Sequence, residues 1–169
     1  MRSTLFAVLL MAAAGTALAD ASSDQFIVKA MQNSMLEVQL GKLAQKNAQT
    51  TGVYALGERL ARDHARISKM LAVIIKAKGI EVPASLDASY SDVVETLANK
   101  NGPEFEAAYT EQMVNAHEKA IVLFTTVAEG NDPELSHFAK QVLPMLREDV
   151  RLASSYEKMS AITTVASRD

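Results

Sequence analysis

Four residues that could bind a metal ion interrupt the apolar faces of the predicted helices. Four long segments carry apolar residues at alternating steps of three and four, the spacing of one face of an α-helix. One in-phase position in each segment holds a carboxylate or an imidazole instead: Glu37, His64, His117 and Asp149. Because a buried polar group without a partner is costly, these side chains need either one another or a bound ion.

The four polar residues lie at similar levels along their helices. The helices are predicted at about 24–47, 51–78, 103–129 and 133–160. At ~1.5 Å per residue, each polar residue then lies roughly 20–24 Å from the start of its helix. Since the middles of similar helices coincide in an up-down-up-down bundle, two carboxylates and two imidazoles should converge in one layer of the core.

Two interpretations of this layer stay open from the residues alone. Two imidazoles and two carboxylates suit one divalent transition metal ion, with zinc, iron, manganese and copper all compatible. Alternatively, the layer holds no metal, and each imidazolium pairs with a carboxylate to fix the register of the helices. Nothing resembles a nucleophile elbow, a phosphate loop or a dinucleotide fingerprint, so no catalytic residue or enzyme activity is predicted.

Other chemistry-bearing residues give weaker signals. Glu134 and His137 have the Glu-x-x-His spacing of di-iron bundles, but they fall in the first turn of a helix, where Glu134 favours the helix dipole. Asp63 points about 100° away from His64 around the helix and is predicted to be a surface charge. The same helix is expected to have a solvated basic outer face, formed by Arg59, Arg62, Arg66 and Lys69.

The first nineteen residues have the features of a secretory signal. Arg2 supplies a positive charge, a short apolar run follows, and Ala17-Leu18-Ala19 is a small-residue cleavage site. We expect cleavage after Ala19 and a mature protein in the periplasm, or secreted. Because the apolar run is too short to span a bilayer comfortably, no transmembrane segment is expected after cleavage.

Composition restricts the partners and the chemistry. The chain contains no cysteine, which excludes disulfides, thiolate ligands and the cysteine that a lipoprotein anchor requires. Its formal net charge is −3, with both signs interspersed and no basic patch of the kind that binds nucleic acid. Oligomeric state and protein partners do not follow from the sequence.

The predicted fold is all-α, an antiparallel four-helix bundle over residues 20–160 with a frayed tail at 161–169. Gly79 and Pro83 end the second helix, and Pro103 and Pro133 begin the third and fourth. The connection from 80 to 102 is long enough to carry a short extra helix at about 91–99.

Several motifs resemble a bacterial domain-of-unknown-function family, number 4142, whose members are often labelled predicted outer-membrane proteins. The motifs are Met35-Leu36-Glu37-Val38, Asp63-His64, Met113-Val114 followed by His117, and Leu143-Pro144. The resemblance covers nearly the whole mature chain and implies a ferritin-like four-helix fold. It matches the family at Glu37, Asp63, His64, Tyr109 and His117, but Asp149 stands where the family usually has histidine.

Two functional hypotheses follow. The first is a ferritin-like protein with a single-metal site, possessing metal-binding or redox-related activity. A di-iron site is disfavoured because Ala61 and Val114, rather than glutamates, lie three residues before His64 and His117. The second is a non-enzymatic protein of the cell envelope or of stress protection, in which the polar layer is structural only.

Overall fold

A computed structural model describes the backbone of residues 11–166 and the side chains of residues 22–159. Within residues 11–166 the chain forms five α-helices and no strand, so the all-α prediction is confirmed. The short helix predicted between the second and third long helices is present as α3. The helices are α1 (Met11–Asn47), α2 (Thr51–Lys78), α3 (Ala88–Ala98), α4 (Gly102–Ala128) and α5 (Pro133–Ala166).

The helices begin and end at residues with the expected capping chemistry. The Thr50 side chain accepts a hydrogen bond from a backbone N–H of the first turn of α2. Gly79 ends the same helix in the left-handed conformation, with φ of 67°, and its N–H donates to the Ile75 carbonyl. Asp132 caps α5, since its Oδ1 accepts from the backbone N–H of Leu135 at 3.0 Å. These local signals explain why most predicted boundaries agree with the structure within a few residues.

The two outermost helix ends differ from the prediction. Helix α1 begins by Met11 instead of at the Ser22–Asp24 cap, because the preceding segment is rich in alanine, the strongest helix former. Helix α5 continues through Ala166 rather than ending near 160. Residues 1–10 of the predicted signal and residues 167–169 of the predicted tail lie outside the described residues, and cleavage after Ala19 stays a prediction.

Helices α1 and α2 pack closely, and two glycines permit their approach. A Cβ added at Gly41 would lie 2.5 Å from the Gly57 carbonyl oxygen and 2.9 Å from the Ala61 Cβ. One added at Gly57 would lie 2.5 Å from the Ala44 Cβ. Gly41 contacts Ala61, whereas Ala44, later on α1, contacts Gly57, earlier on α2, so the two helices run antiparallel. The short connection between them permits only this arrangement.

Helices α4 and α5 form a second antiparallel pair. The Ser136 hydroxyl donates to the Ala128 carbonyl at 2.6 Å, next to the connection between the helices. Further from the connection, the rings of Phe124 and Phe138 are 5.8 Å apart. Helix α2 also contacts α5, and α1 contacts α3 and α4. No helix in the described part of the chain is both long enough and apolar enough to cross a membrane.

The core consists of two hydrophobic clusters. One is built around Phe26, Leu71, Phe124 and Phe138. The other is built around Leu40, Leu60, Phe105 and Tyr109. Along α2, α4 and α5, His64, His117 and Asp149 fall between the members of the two clusters, and Glu37 of α1 follows Leu36 of the second cluster. The polar layer is therefore enclosed by apolar side chains on both sides: Glu37, His64, His117 and Asp149 are 0%, 2%, 2% and 1% exposed.

Candidate metal centre

Three of the four predicted residues meet in the core. Glu37 of α1, His64 of α2 and His117 of α4 each offer one ligand atom, and these atoms all lie within 4.8 Å of one another. Each side chain comes from a different helix, so their meeting depends on how the helices pack. The prediction that the polar residues converge on one level holds for these three, and Asp149 lies beside them.

The two histidines face each other through their Nε2 atoms. These atoms are 3.3 Å apart, and the ring planes are nearly perpendicular at 87°. Two nitrogens bound to the same tetrahedral zinc ion, at about 2.0–2.1 Å each, would be about 3.3–3.4 Å apart. The observed separation therefore equals that between two ligands of a single ion. It equally permits one histidine to donate a hydrogen bond to the other.

Backbone contacts determine the tautomer of His117. Its Nδ1 lies 2.9 Å from the carbonyl oxygen of Met113, one turn earlier on α4. Because a carbonyl only accepts, Nδ1 carries the proton and donates, and the lone pair of neutral His117 is on Nε2, facing His64. A histidine ligand whose other nitrogen donates to a backbone carbonyl is a recurrent arrangement around protein-bound metals.

Asp149 has two oxygens in different surroundings. Its Oδ1 accepts a hydrogen bond from Arg59 Nε at 2.8 Å. Its Oδ2 lies 4.0 Å from His117 Nε2, too far for a direct hydrogen bond. The expectation that Arg59 belongs only to a solvated outer face is wrong, because this side chain bends inward to the buried carboxylate. Asp63, only 16% exposed, lies 3.4 Å from the same Arg59 nitrogen.

Several buried polar atoms around the layer have no hydrogen-bond partner. They are both carboxylate oxygens of Glu37, Nδ1 of His64, the hydroxyl of Tyr109 and Oδ2 of Asp149. Buried polar groups are nearly always paired in folded proteins, and each exception requires an explanation. Five such atoms on four residues, each from a different helix, point to a bound ion with its own ligands or to protonation of Glu37.

Burial and neighbouring charges shift the pKa values of the layer. Burial raises the pKa of Glu37; the charge of His117 opposes this rise and that of Asp149 adds to it. Burial also lowers the pKa of His64 to about 3, assisted by His117. Burial raises the pKa of Asp149, against the hydrogen bond from Arg59. His64 is thus neutral near pH 7, as a metal ligand must be, and it does not form the imidazolium pair of the metal-free interpretation.

Tyr109 also lies at this site. It is among the residues at which the sequence resembles the family, but it was assigned no role in the polar layer. The ring is 0% exposed and stacks on Phe105 with centroids 5.4 Å apart. Burial and the charges of Glu37 and Asp149 raise the pKa of its hydroxyl well above the usual value. Tyr109 lies on the α4 face that also carries Met113 and His117. The hydroxyl of a tyrosine on this face is the feature of the sequence that could have indicated a polar role.

The Glu134-x-x-His137 motif takes no part in the centre. The Nε2 of His137 lies 3.0 Å from the Gln141 side chain on the exposed face of α5. Glu134 donates its backbone N–H to Asp132 at 3.0 Å as part of the helix cap. Within the described residues, neither belongs to a group of three potential metal ligands. Glu134 lies in the first turn of α5, as the sequence predicted.

Comparison with solved structures places the fold among known helical proteins. The chain is similar to a crystal structure of a DUF305 fragment from Deinococcus radiodurans, with a TM-score of 0.71 and 14% sequence identity. The similarity covers 80% of this chain and 95% of that one. At this identity the likeness concerns the fold alone.

The sequence comparisons give the family. No curated protein gives a significant match to the chain. The profile of a domain of unknown function, DUF4142, matches residues 8–155 and so includes α1 to α4, most of α5 and every residue of the buried layer. The resemblance carried by the Met-Leu-Glu, Asp-His and Leu-Pro motifs is thereby confirmed, and the chain belongs to the DUF4142 family.

Proposed function

We propose that this protein binds one divalent transition metal ion between Glu37, His64 and His117, with Asp149 completing the charged layer. The observation that carries the proposal is the pair of Nε2 atoms 3.3 Å apart. Each histidine also has a ring nitrogen within 4.8 Å of an unpartnered Glu37 oxygen. One ion would give the carboxylate a partner and would turn the close contact of the imidazoles into shared coordination.

The types of ligand restrict the metal. Two neutral imidazoles and one carboxylate form the set found in zinc hydrolases and in non-haem iron(II) sites, and they also bind manganese and copper(II). The chain contains no cysteine, so it offers no thiolate that would favour a soft ion. Among these metals, the separation of the histidine nitrogens agrees best with the short bonds of tetrahedral zinc, which we therefore choose as the first ion to test.

The proposed setting is a ferritin-like antiparallel four-helix bundle in the periplasm, or secreted. Two antiparallel pairs, α1 with α2 and α4 with α5, support this architecture, with α3 in the connection between them. The features of residues 1–19 support export. The proposal includes no reaction, because the site has a set of ligands but no identified substrate.

A metal-free layer in an envelope or stress protein is the second candidate, and one observation favours it. The raised pKa of Glu37 would let this carboxyl stay protonated, and His64 could donate directly to His117 Nε2. Such a layer would fix the register of the helices without an ion. The two candidates differ in whether the purified protein contains metal.

The test is the metal content of protein purified without a metal-binding tag, followed by titration of the metal-free protein with Zn²⁺. We expect one bound ion per chain, and we expect His64→Ala and His117→Ala each to weaken binding by at least about 100-fold. His137→Ala is the matched control, since it removes an exposed histidine, and should leave affinity unchanged. If the wild type binds no metal, or if His137→Ala alone abolishes binding, the proposal is wrong.

A further inference from the structure

Besides Nδ1 of His64, two unpartnered atoms are not accounted for by an ion bound to Glu37, His64 and His117. They are the hydroxyl of Tyr109 and Oδ2 of Asp149. Both side chains are almost fully buried, at 0% and 1% exposure. If they stayed unpaired, each would destabilise the folded protein. The layer therefore requires a further group that accepts a hydrogen bond from a phenol and donates one to a carboxylate.

The position of Asp149 argues against direct ligation. Asp149 is not among the residues whose ligand atoms all lie within 4.8 Å of one another. Its Oδ2 is 4.0 Å from His117 Nε2, and Arg59 holds the other oxygen at 2.8 Å. The carboxylate is thus held back from the ion, at a distance that one small molecule would span.

We propose that the metal ion keeps one coordination position for a water-sized protic ligand, which accepts a hydrogen bond from Tyr109 and donates one to Asp149. This inference rests on the proposed metal site. Water has both required groups, an oxygen lone pair and O–H donors, and a molecule such as hydrogen peroxide has them too. Three protein ligands and one open position are the arrangement of catalytic rather than structural zinc sites.

Burial limits the ligand to a small molecule. The residues that would hold it are all at most 2% exposed. Two surface cavities, of about 620 and 380 Å³, lie elsewhere, one by the α4–α5 connection and one between α3 and α4. Neither is lined by Glu37, His64, Tyr109, His117 or Asp149. An organic substrate in either cavity would not touch the ion.

The test uses the full-length protein, freed of metal and loaded with Co²⁺ alone, in water enriched in oxygen-17. Electron–nuclear double resonance then detects any oxygen bound directly to cobalt. We expect one water ligand in the wild type and one in Asp149→Asn. If Asp149 is itself a ligand, the wild type will show none and the variant will gain one, and the inference is overturned. Glu148→Gln, next to Asp149 but exposed, is the matched control and should match the wild type.

The hydrogen bond from Tyr109 is tested separately in deuterated water. Besides the strongly coupled deuterons of bound water, the wild type should show one weakly coupled deuteron from the phenol. That signal should vanish in Tyr109→Phe and persist in Tyr156→Phe, which alters a half-buried tyrosine on α5; its persistence in Tyr109→Phe would contradict the role given to Tyr109. Cobalt bound without a water ligand overturns this inference alone, whereas failure to bind cobalt overturns it together with the proposed function.

Discussion

Two side chains of the core, His64 and Glu37, respond to pH in opposite directions. The pKa of His64 falls from 6.5 to about 3 in the folded protein, chiefly because burial disfavours the imidazolium. Between these values the unfolded chain binds more protons than the folded one, so acid destabilises the protein. The stabilising contribution of neutral His64 is present above pH 6.5 and is lost as the pH falls through this window.

Metal-free protein should accordingly lose stability between pH 6.5 and pH 4, by up to about 1.4 kcal/mol per pH unit from His64. Urea unfolding at several pH values measures this slope. Glu37 acts in the opposite direction, because its raised pKa stabilises the folded state at low pH and ceases to do so as the pH rises. Comparison with His64→Gln isolates the histidine, and equal slopes in the two proteins would contradict its lowered pKa.

We expect Glu37 to contribute to metal binding and to destabilise the metal-free protein. In the metal-free protein its buried carboxylate has no hydrogen-bond partner, so its ionised form is unfavourable. We expect Glu37→Gln, which keeps the shape but cannot ionise, to raise the melting temperature of metal-free protein at pH 8 and to weaken Zn²⁺ binding at least about tenfold. Glu148→Gln, an exposed control, should change neither quantity. A Glu37→Gln protein that melts lower and binds zinc normally would show that Glu37 is only structural.

The sequence predicted the buried polar residues but not all of their contacts. The spacing of apolar residues was sufficient to place Glu37, His64, His117 and Asp149 in the core, because one helix face determines burial. Arg59 and Tyr109 were not assigned to the site, since their roles depend on side chains of other helices. The reach of a long arginine across a helix interface cannot be derived from the periodicity of its own helix.

At the scale of helices, the glycine contact between α1 and α2 sets the level at which Glu37 faces His64. Gly41 and Gly57 lie one to two turns from these residues along the same interface, and their close approach leaves no room for a Cβ. Any increase in the separation of the two helices would move the carboxylate away from the imidazoles. The packing at the glycine contact therefore affects the geometry of the polar layer.

Gly41→Ala should therefore destabilise the protein by about 1–3 kcal/mol, the usual effect of overpacking, and should also weaken metal binding. The added methyl would lie 2.5 Å from backbone at Gly57, which cannot move aside as the end of a side chain can. Thermal unfolding and zinc titration measure the two effects. Gly130→Ala is the matched control, because its nearest contact is 3.2 Å at the end of α4. If Gly41→Ala has the stability of the wild type, the described crossing is wrong.

Helix boundaries were predictable wherever a cap or a breaker marks them. Thr50, Gly79 and Asp132 act through local hydrogen bonds and backbone conformation, and the sequence shows both directly. The predicted start of α1 was wrong. Ser22–Asp24 can cap a helix, but these residues do not end a helix that continues from an alanine-rich segment. Capping residues stabilise an end without specifying that an end occurs.

For the molecule as a whole, the arrangement of the core is what isolates the site. Apolar clusters lie on both sides of the polar layer, so bulk solvent is excluded and the interactions of charges within the layer are strengthened. The carboxylates of Glu37 and Asp149 and the neutral His64 together favour a cation over an anion. The side chain of Arg59, which is 32% exposed, connects the surface with Asp149 in the layer.

The most direct measurement of the metal proposal is a crystal structure of the Zn²⁺-soaked protein, with diffraction recorded on both sides of the zinc absorption edge. We predict one anomalous peak in the core, about 2.0–2.1 Å from Nε2 of His64 and of His117 and bonded to a Glu37 oxygen. Data from His117→Ala crystals should lack that peak. A core without anomalous density in the wild type, or zinc found only at exposed residues such as His137, would contradict the account.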